Sequence, residues 1–389
     1  MAERVAVLEA QRSLSRRPKQ ALTRLLGLAT ATPAHEATQP QVQRFIGQVL
    51  RACVPGPDGL KAAAFAERIN AASGIERRQG VLADYAKETP EEFAFFPKNW
   101  TLDPFPTTAA RMKVYEQESV ELASRAAAGA LREAKIEPRE ATHLIVATCT
   151  GFFAPGPDVM LMEKLGLRPD IKRTILGFMG CYAGFNGMRL ADEIIRGNPD
   201  AVVLQVCVEL CSLHFQKRLS PDLLVANSLF SDGAAAAVYA AADGGRGIAD
   251  VLATCSYVPS GSLEQMAWRI GDTGFEMRLD RQVPSTLKRH APAFTEGLLR
   301  QANVARDEVA GWAVHPGGRK IVEAIGESMK LDGGSVQSAF DVLRDHGNMS
   351  SPTIFFVLDK ELRRKRGGPV VALGFGPGLT MEGAALLAS

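Results

Sequence analysis

The chain has 389 residues, 46% of them hydrophobic and 23% charged, which is the composition of an ordinary globular protein. Lys and Arg number 45 against 43 Asp and Glu, a balance that argues against nucleic acid or an anionic membrane as the main partner. No apolar stretch reaches membrane-spanning length, and the six cysteines form no CxxC pair and no metal-ligand spacing with the six histidines. The expectation is a cytoplasmic, reducing setting with no bound metal, no disulfide framework and no membrane insertion.

Taken in chain order, residues 1–20 are Arg-rich but carry Glu3 and Glu9 and lack an apolar core with a cleavage site. They read as an N-terminal arm rather than a signal peptide. Helical patterns follow at Asp58–Gly74 and Ser119–Ala134. Four continuous apolar runs read as fully buried strands: His143–Thr148, Val202–Cys207, Gly311–Pro316 and Val370–Phe375. Leu263–Ser285 reads as an insertion with two short strands, FEMRL among them. The first two runs start 59 residues apart, and so do the last two. Each pair brackets a small-residue turn followed by a helical segment. Cys181 lies 38 residues into the first unit and Asn348 lies 37 into the second. One frame is therefore used twice, which predicts an α/β body made of two pseudo-repeated halves, residues 21–242 and 243–389.

The chemistry-bearing residues fall at matched places in that frame. In GFMGCYAGFNGMRLADEII, Phe185, Met188, Leu190, Ala191, Ile194 and Ile195 recur at helical spacing. Cys181 then lies at or near the first turn, where unpaired N–H groups and the helix dipole favour a thiolate. The alternative is a small buried core cysteine. His315, in WAVHPGGRKI, ends a buried strand, the position where open α/β sheets carry functional residues. Asn348 sits in HGNMSSPT. Pseudo-symmetry would bring Cys, His and Asn to one cleft. Such a trio suits acyl transfer through a thioester. The thiolate attacks, and imidazole and amide N–H groups hold the oxyanion. A papain-like reading would call for a CGSCW-like segment near the N-terminus, and none is present.

At these residues the chain resembles the chalcone synthase-like, or type III, polyketide synthases over nearly everything after residue 20. LGLATATPAHEATQP resembles the family's first strand and loop, and HLIVATCTGFFAPGPDVMLMEKLGL its Thr-rich strand. GCYAG, LFSDGAAAAV, HPGGRK and GNMSSP resemble the nucleophile, gatekeeper, histidine and asparagine segments, and GFGPGLTME the C-terminal signature. The resemblance implies a five-layered αβαβα thiolase fold and a homodimer without a cofactor, acting on malonyl-CoA and an acyl-CoA starter. It implies Cys181 as nucleophile, His315 and Asn348 as the oxyanion site, and Phe230 and Phe275 as gatekeeper aromatics. Ser350 and Gly376 fall within the matched asparagine and C-terminal segments and are taken as substrate-contacting. For the CoA phosphates Arg68 matches, while Phe65 and Ala72 stand where the family has basic residues. Lys61, Arg77, Arg78, Arg319 and Lys320 are the remaining candidates.

Cavity positions depart from the plant pattern. Cys149, Cys211 and His214 stand at threonine positions, Ala154 at an interface methionine, and Met266 at a glycine of the cavity floor. Such changes alter volume and polarity. They are compatible with a long acyl starter, hence an alkylpyrone or alkylresorcinol product. The rival readings are a ketoacyl-ACP synthase III performing one condensation and a chalcone- or phloroglucinol-type product from a short or aromatic starter. A hydroxymethylglutaryl-CoA synthase would need a glutamate base, for which Glu209 is the candidate.

Overall fold

The computed structural model describes residues 22–242, 245, 247–364 and 367–389, so the N-terminal arm lies outside the described residues. Strand β1 (Thr23–Ala31) comes first. A small hairpin, β2 (His35–Thr38) with β3 (Arg77–Gly80), brackets helices α1 (Gln39–Cys53) and α2 (Pro57–Ala72). The long α3 (Thr108–Ala134) leads into β4 (His143–Thr148), α4 (Pro157–Leu165), β5 (Lys172–Gly177), α5 (Ala183–Gly197) and β6 (Val203–Leu210). Helix α6 (Pro221–Leu229) and β7 (Asp232–Ala241) close the first half. The second half runs through β8 (Ala249–Tyr257), the hairpin β9 (Met266–Gly271) and β10 (Gly274–Leu279), and α7 (Val283–Ala302). It continues with β11 (Gly311–Val314), α8 (Arg319–Ser328), α9 (Gln337–His346), α10 (Thr353–Arg364), β12 (Pro369–Gly376) and β13 (Thr380–Ala388).

Nine strands form one sheet in the order β11-β12-β13-β8-β1-β7-β6-β4-β5. The duplicated frame is visible in it. β4 runs parallel to β6 with His143 opposite Val203, and β11 runs parallel to β12 with Gly311 opposite Val370. Each pair is followed by an antiparallel strand, β7 in one half and β13 in the other. The halves join where β1 pairs with β8 over Thr23–Leu25. The first half has one strand more, β5, which pairs in parallel only with β4. Its residues are largely exposed, unlike the uniformly buried β4 and β6.

Helices α5 and α10 form the middle layer of a thiolase-like arrangement, with α3 outside the first half and α7 outside the second. Both middle helices begin with unbroken buried stretches, Ala183–Met188 and Thr353–Leu358, because each is covered on every side. Their N-terminal ends meet closely. A Cβ at Gly184 would lie 2.9 Å from the Phe355 ring and 3.1 Å from the Ser351 carbonyl oxygen. One large apolar cluster surrounds the middle layer and a second fills the space between α1, α3 and the first-half strands. Burying this much apolar surface is the main source of stability.

Candidate active site

Cys181 precedes the N-cap residue Tyr182 of α5, so it sits just ahead of the helix rather than inside its first turn. Gly180 turns the chain there with φ +79°, a conformation that glycine adopts without penalty. The GFGPG segment packs directly on this loop. A Cβ at Gly376 would stand 2.6 Å from the Tyr182 ring and 3.4 Å from the Cys181 nitrogen. One at Gly180 would meet Pro377 at 2.5 Å. Gly376 of that signature is thus space for the nucleophile loop, while Gly374 makes room for the Phe185 ring of α5.

His315 follows directly on β11 and is fully buried. Neither ring nitrogen has a hydrogen-bond partner among the described residues. The ring edge carrying Cδ2 and Nε2 faces Gly317, and the Gly317 carbonyl accepts from Asn348 Nδ2 at 3.3 Å. Asn348 Oδ1 accepts the Ser350 backbone N–H at 2.8 Å, which leaves the amide N–H₂ as the group presented on the histidine side. The Asn348 backbone is fixed in turn, its N–H donating to the Leu229 carbonyl and its carbonyl accepting from Ser231. Ser350 is held at φ +61°, an unusual value for a residue with a side chain. Its hydroxyl lies 3.5 Å from Cys149 Sγ, and hydrogen bonds from Ser350 and Asn348 pull on the Cys181 thiol. The fold therefore brings Cys181, Asn348, Ser350 and Cys149 to one place, with His315 joined to them through Gly317.

The electrostatics differ from the sequence-based expectation. Burial pushes the Cys181 thiol up to about 11, outweighing the Ser350 and Asn348 hydrogen bonds that favour the thiolate. Burial alone pushes the His315 imidazole down to about 3. Burial therefore favours the neutral form of both groups. A helix terminus is a fractional charge, and desolvating a full thiolate costs more than that fraction returns.

Glu209, the candidate base for a hydroxymethylglutaryl-type synthase whose counterpart in the resembled family looks structural, is an organising group. It is fully buried and accepts from Cys149 N–H at 2.9 Å, Thr150 Oγ1 at 2.7 Å and Ser351 Oγ at 2.7 Å. Its lone pairs are taken by the scaffold, which removes it as a general base for a synthase of the hydroxymethylglutaryl type.

The remaining positions do not share one place. Cys211, His214, Phe230 and Phe275 line one cavity, which continues past Val42, Leu82, Phe215 and Leu223. Cys181, His315 and Asn348 are not among its walls. Trp268, missed in the sequence, closes it and donates to the Cys149 carbonyl at 2.7 Å. Met266 starts β9, packs on the middle-layer cluster and accepts from Gly378 N–H at 3.0 Å. Ala154 is exposed at the surface, beside the half-exposed Phe152, and does not line that cavity. Arg78 is a correction: it is buried and donates to the Asn227 and Phe230 carbonyls at 2.8 Å, so it serves the gatekeeper loop and not a surface phosphate. Arg68, Arg319 and Lys320 are exposed. Arg68 lies over the Phe65 ring, and Arg319, at the start of α8, reaches Gly74 at the end of α2. Arg319 is also paired with Glu323 at 2.9 Å. Among the described residues no group of three or more His, Cys, Asp or Glu could hold a metal ion, and no helix is long and apolar enough to cross a membrane.

A thiol, a histidine and an amide donor at the tips of two fused α/β halves define a thioester-condensing acyltransferase. The chain matches the chalcone and stilbene synthase N-terminal domain over residues 11–243 and the C-terminal domain over residues 250–389. It is 30% identical to a 1,3,6,8-tetrahydroxynaphthalene synthase of Streptomyces peucetius subsp. caesius, over 92% of each chain. It is 32% identical to the alpha-pyrone synthesis polyketide synthase-like Pks18 of Mycobacterium tuberculosis, over 71% of this chain and 72% of that one. The solved PKS-I of the brown alga Ectocarpus siliculosus superposes with a TM-score of 0.87 at 28% identity, covering 96% of this chain and 100% of that one. The chain belongs to the chalcone and stilbene synthase family and is a type III polyketide synthase, a family that uses malonyl-CoA and acyl-CoA substrates.

Proposed function

We propose that this enzyme loads a fatty acyl-CoA starter on Cys181, extends it iteratively with malonyl-CoA, and cyclises the chain to an alkylpyrone or alkylresorcinol. The cavity beyond the gatekeepers carries the reading. From Cys211, His214, Phe230 and Phe275 it continues along an apolar side, Val42, Leu82, Phe215 and Leu223, which suits an aliphatic tail, with polar groups such as Glu36, Gln79, Gln216 and Asn227 on its remaining walls.

His315 takes the Cys181 proton as the acyl thioester arrives, the sulfur attacks the carbonyl, and CoA leaves with the proton returned by His315. The malonyl carboxylate then departs as carbon dioxide, and the electron pair of the broken C–C bond passes into an enolate. His315 and Asn348 donate to the enolate oxygen. Neutral donors stabilise the developing charge without a full positive charge that would also hold the departing carboxylate. The enolate carbon attacks the Cys181 thioester and the thiolate leaves, ready for the next transfer.

Arg68, Arg319 and Lys320 would meet the CoA phosphates. No resident cofactor is invoked, and the setting is cytoplasmic. A homodimer is supported by the open edge of β5 with Ile175, Phe152 and Met160 each 42–52% exposed nearby. Such an edge with an apolar flank calls for a partner.

The test is a starter panel from acetyl- to stearoyl-CoA, benzoyl-CoA included, with malonyl-CoA and mass-spectrometric readout. Cys181→Ala is the control and light scattering gives the mass. Long-chain pyrones or resorcinols that vanish in the variant are expected. Preference for short or aromatic starters would overturn the starter assignment. A single condensation that requires malonyl on a carrier protein would overturn the iterative reading.

A further inference from the structure

His214 stands where a cavity-lining side chain is expected, yet its polar atoms are not offered to the cavity. Its Nδ1 accepts the backbone N–H of Phe275 at 3.0 Å. Its Nε2 meets the Thr150 carbonyl at 2.7 Å. An amide N–H can only donate and a carbonyl can only accept, so the ring is fixed as the tautomer with the proton on Nε2. The ring also stacks on the Phe275 ring, centroids 4.2 Å apart and planes 10° apart, and meets Trp268 edge-on at 5.6 Å. One side chain therefore grips both the backbone and the ring of Phe275.

The grip connects Phe275 to the centre of the site. The Thr150 hydroxyl donates to Glu209, the carboxylate that also holds Cys149 and Ser351. The rest of the β9–β10 hairpin has its own fasteners. Thr108 takes the tip through the Asp272 carbonyl and the Gly274 N–H, each at 2.8 Å, and Gln216 donates to the Thr273 carbonyl at 3.0 Å. Gln216 also donates to the Phe275 carbonyl at 3.4 Å, and Phe152, Phe178 and Trp268 touch its ring, but among the described residues His214 alone meets both the Phe275 N–H and its ring face. Burial keeps the imidazole neutral, pushed down to about 3, and the buried Arg111 nearby disfavours a second proton. The tautomer therefore persists across any working pH.

We propose that His214 is a positioning residue that sets the second gatekeeper, Phe275, against the catalytic scaffold and thereby sets which acyl starter the enzyme accepts. The proposal rests on the reading of Phe275 as a gate between the CoA side and the reaction cavity. A threonine at this position would lack the ring face and could not span both partners.

The test compares His214→Leu, His214→Asn, Phe275→Ala and the double variant His214→Leu/Phe275→Ala with the wild-type enzyme. Readouts are kcat and KM for each acyl-CoA, malonyl-CoA decarboxylation without a starter, and product length. Leu removes both hydrogen bonds and the stacking plane. Asn keeps an acceptor at the Nδ1 position. His214→Leu is expected to raise KM for the preferred acyl-CoA about tenfold, the size of the one lost hydrogen bond to Phe275, while malonyl-CoA decarboxylation falls by a clearly smaller factor. His214→Asn is expected to recover most of that loss, and the double variant to be no worse than Phe275→Ala alone.

If decarboxylation falls in step with acyl-CoA use, or if the two substitutions add, His214 only supports the fold and the proposal fails. If all variants match wild type in KM and product length, it fails as well. Should the wild-type enzyme itself show no starter-dependent condensation, the fault lies with the proposed function. The decarboxylation readout and thermal unfolding keep those outcomes apart.

Discussion

Removing the Glu209 carboxylate tests whether one buried group holds the cleft together. Three donors lie within 2.9 Å of it: Cys149 N–H, the Thr150 hydroxyl and the Ser351 hydroxyl. Glu209→Ala orphans all three in a dry interior. Each orphaned donor costs about 1–3 kcal/mol, but the two hydroxyls can turn to other acceptors, so the expected loss is about 4 kcal/mol. Glu209→Gln keeps the shape. Its amide oxygen takes the Cys149 and Thr150 donors, and its N–H₂ donates to a re-aimed Ser351 hydroxyl. It also relieves the burial that raises the Glu209 carboxyl above its ordinary range, so stability should stay within about 1 kcal/mol of wild type. Urea unfolding followed by tryptophan fluorescence separates the two, and product formation shows whether the Cys149 and Ser351 segments still hold their places. Glu209→Ala unfolding within about 1 kcal/mol of wild type, with full activity, would refute the reasoning.

Three further outcomes follow from the geometry. Burial raises the Asp232 carboxyl to about 6, so the folded state binds that proton more tightly than the unfolded chain. Its contribution is present below about pH 4 and is lost as pH rises to about 6, a span of roughly 3 kcal/mol that Asp232→Asn should flatten in pH-dependent urea titrations. Gly187→Ala puts a Cβ 2.2 Å from Gln205 Nε2 inside the middle layer. It should cost about 1–3 kcal/mol by the same assay, and an unchanged midpoint would count against the packing described. Ser350→Ala removes a hydrogen bond that favours the Cys181 thiolate, so iodoacetamide should alkylate Cys181 about tenfold more slowly at pH 8. Equal rates would remove Ser350 from the thiol's surroundings.

Much of this was legible in the sequence because parallel strands buried on both faces leave long apolar runs. The two 59-residue spacings became two parallel pairs, β4 with β6 and β11 with β12. His315 was placed at a strand end by the same logic. Burial was not legible, and burial decides the charge states. Cys181 was read as a thiolate from its helix and is held as a thiol by desolvation. Arg78 belongs to a four-residue strand that carries no pattern, so nothing in RRQG separated the exposed Arg77 from its buried neighbour. The partners of Glu209 are 59, 60 and 142 residues away along the chain, and no local periodicity records a contact of that range.

The two halves also explain why the site is rigid although its parts come from both. Helix α5, which follows the nucleophile, is tied to the opposite half: Asn186 and Arg189 donate to Glu382 on β13 at 2.9 and 3.0 Å. The loop entering α10, which carries Asn348 and Ser350, is tied the other way: Ser351 donates to Glu209 on β6. Each half thus clamps the other half's catalytic segment with one buried glutamate. Neither clamp exists within a half alone, and the apolar middle layer supplies adhesion without direction. The crossed pair of carboxylates adds direction to that supplied by the Leu229 and Ser231 backbone bonds to Asn348 and the Trp268 bond to the Cys149 carbonyl. A sliding of one half over the other would have to break both clamps before it could separate Cys181 from Asn348. Duplication of one α/β frame supplies two similar bodies, and the crossed glutamates, with the backbone bonds at Asn348, hold them in the register that brings thiol, imidazole and amide to one cleft.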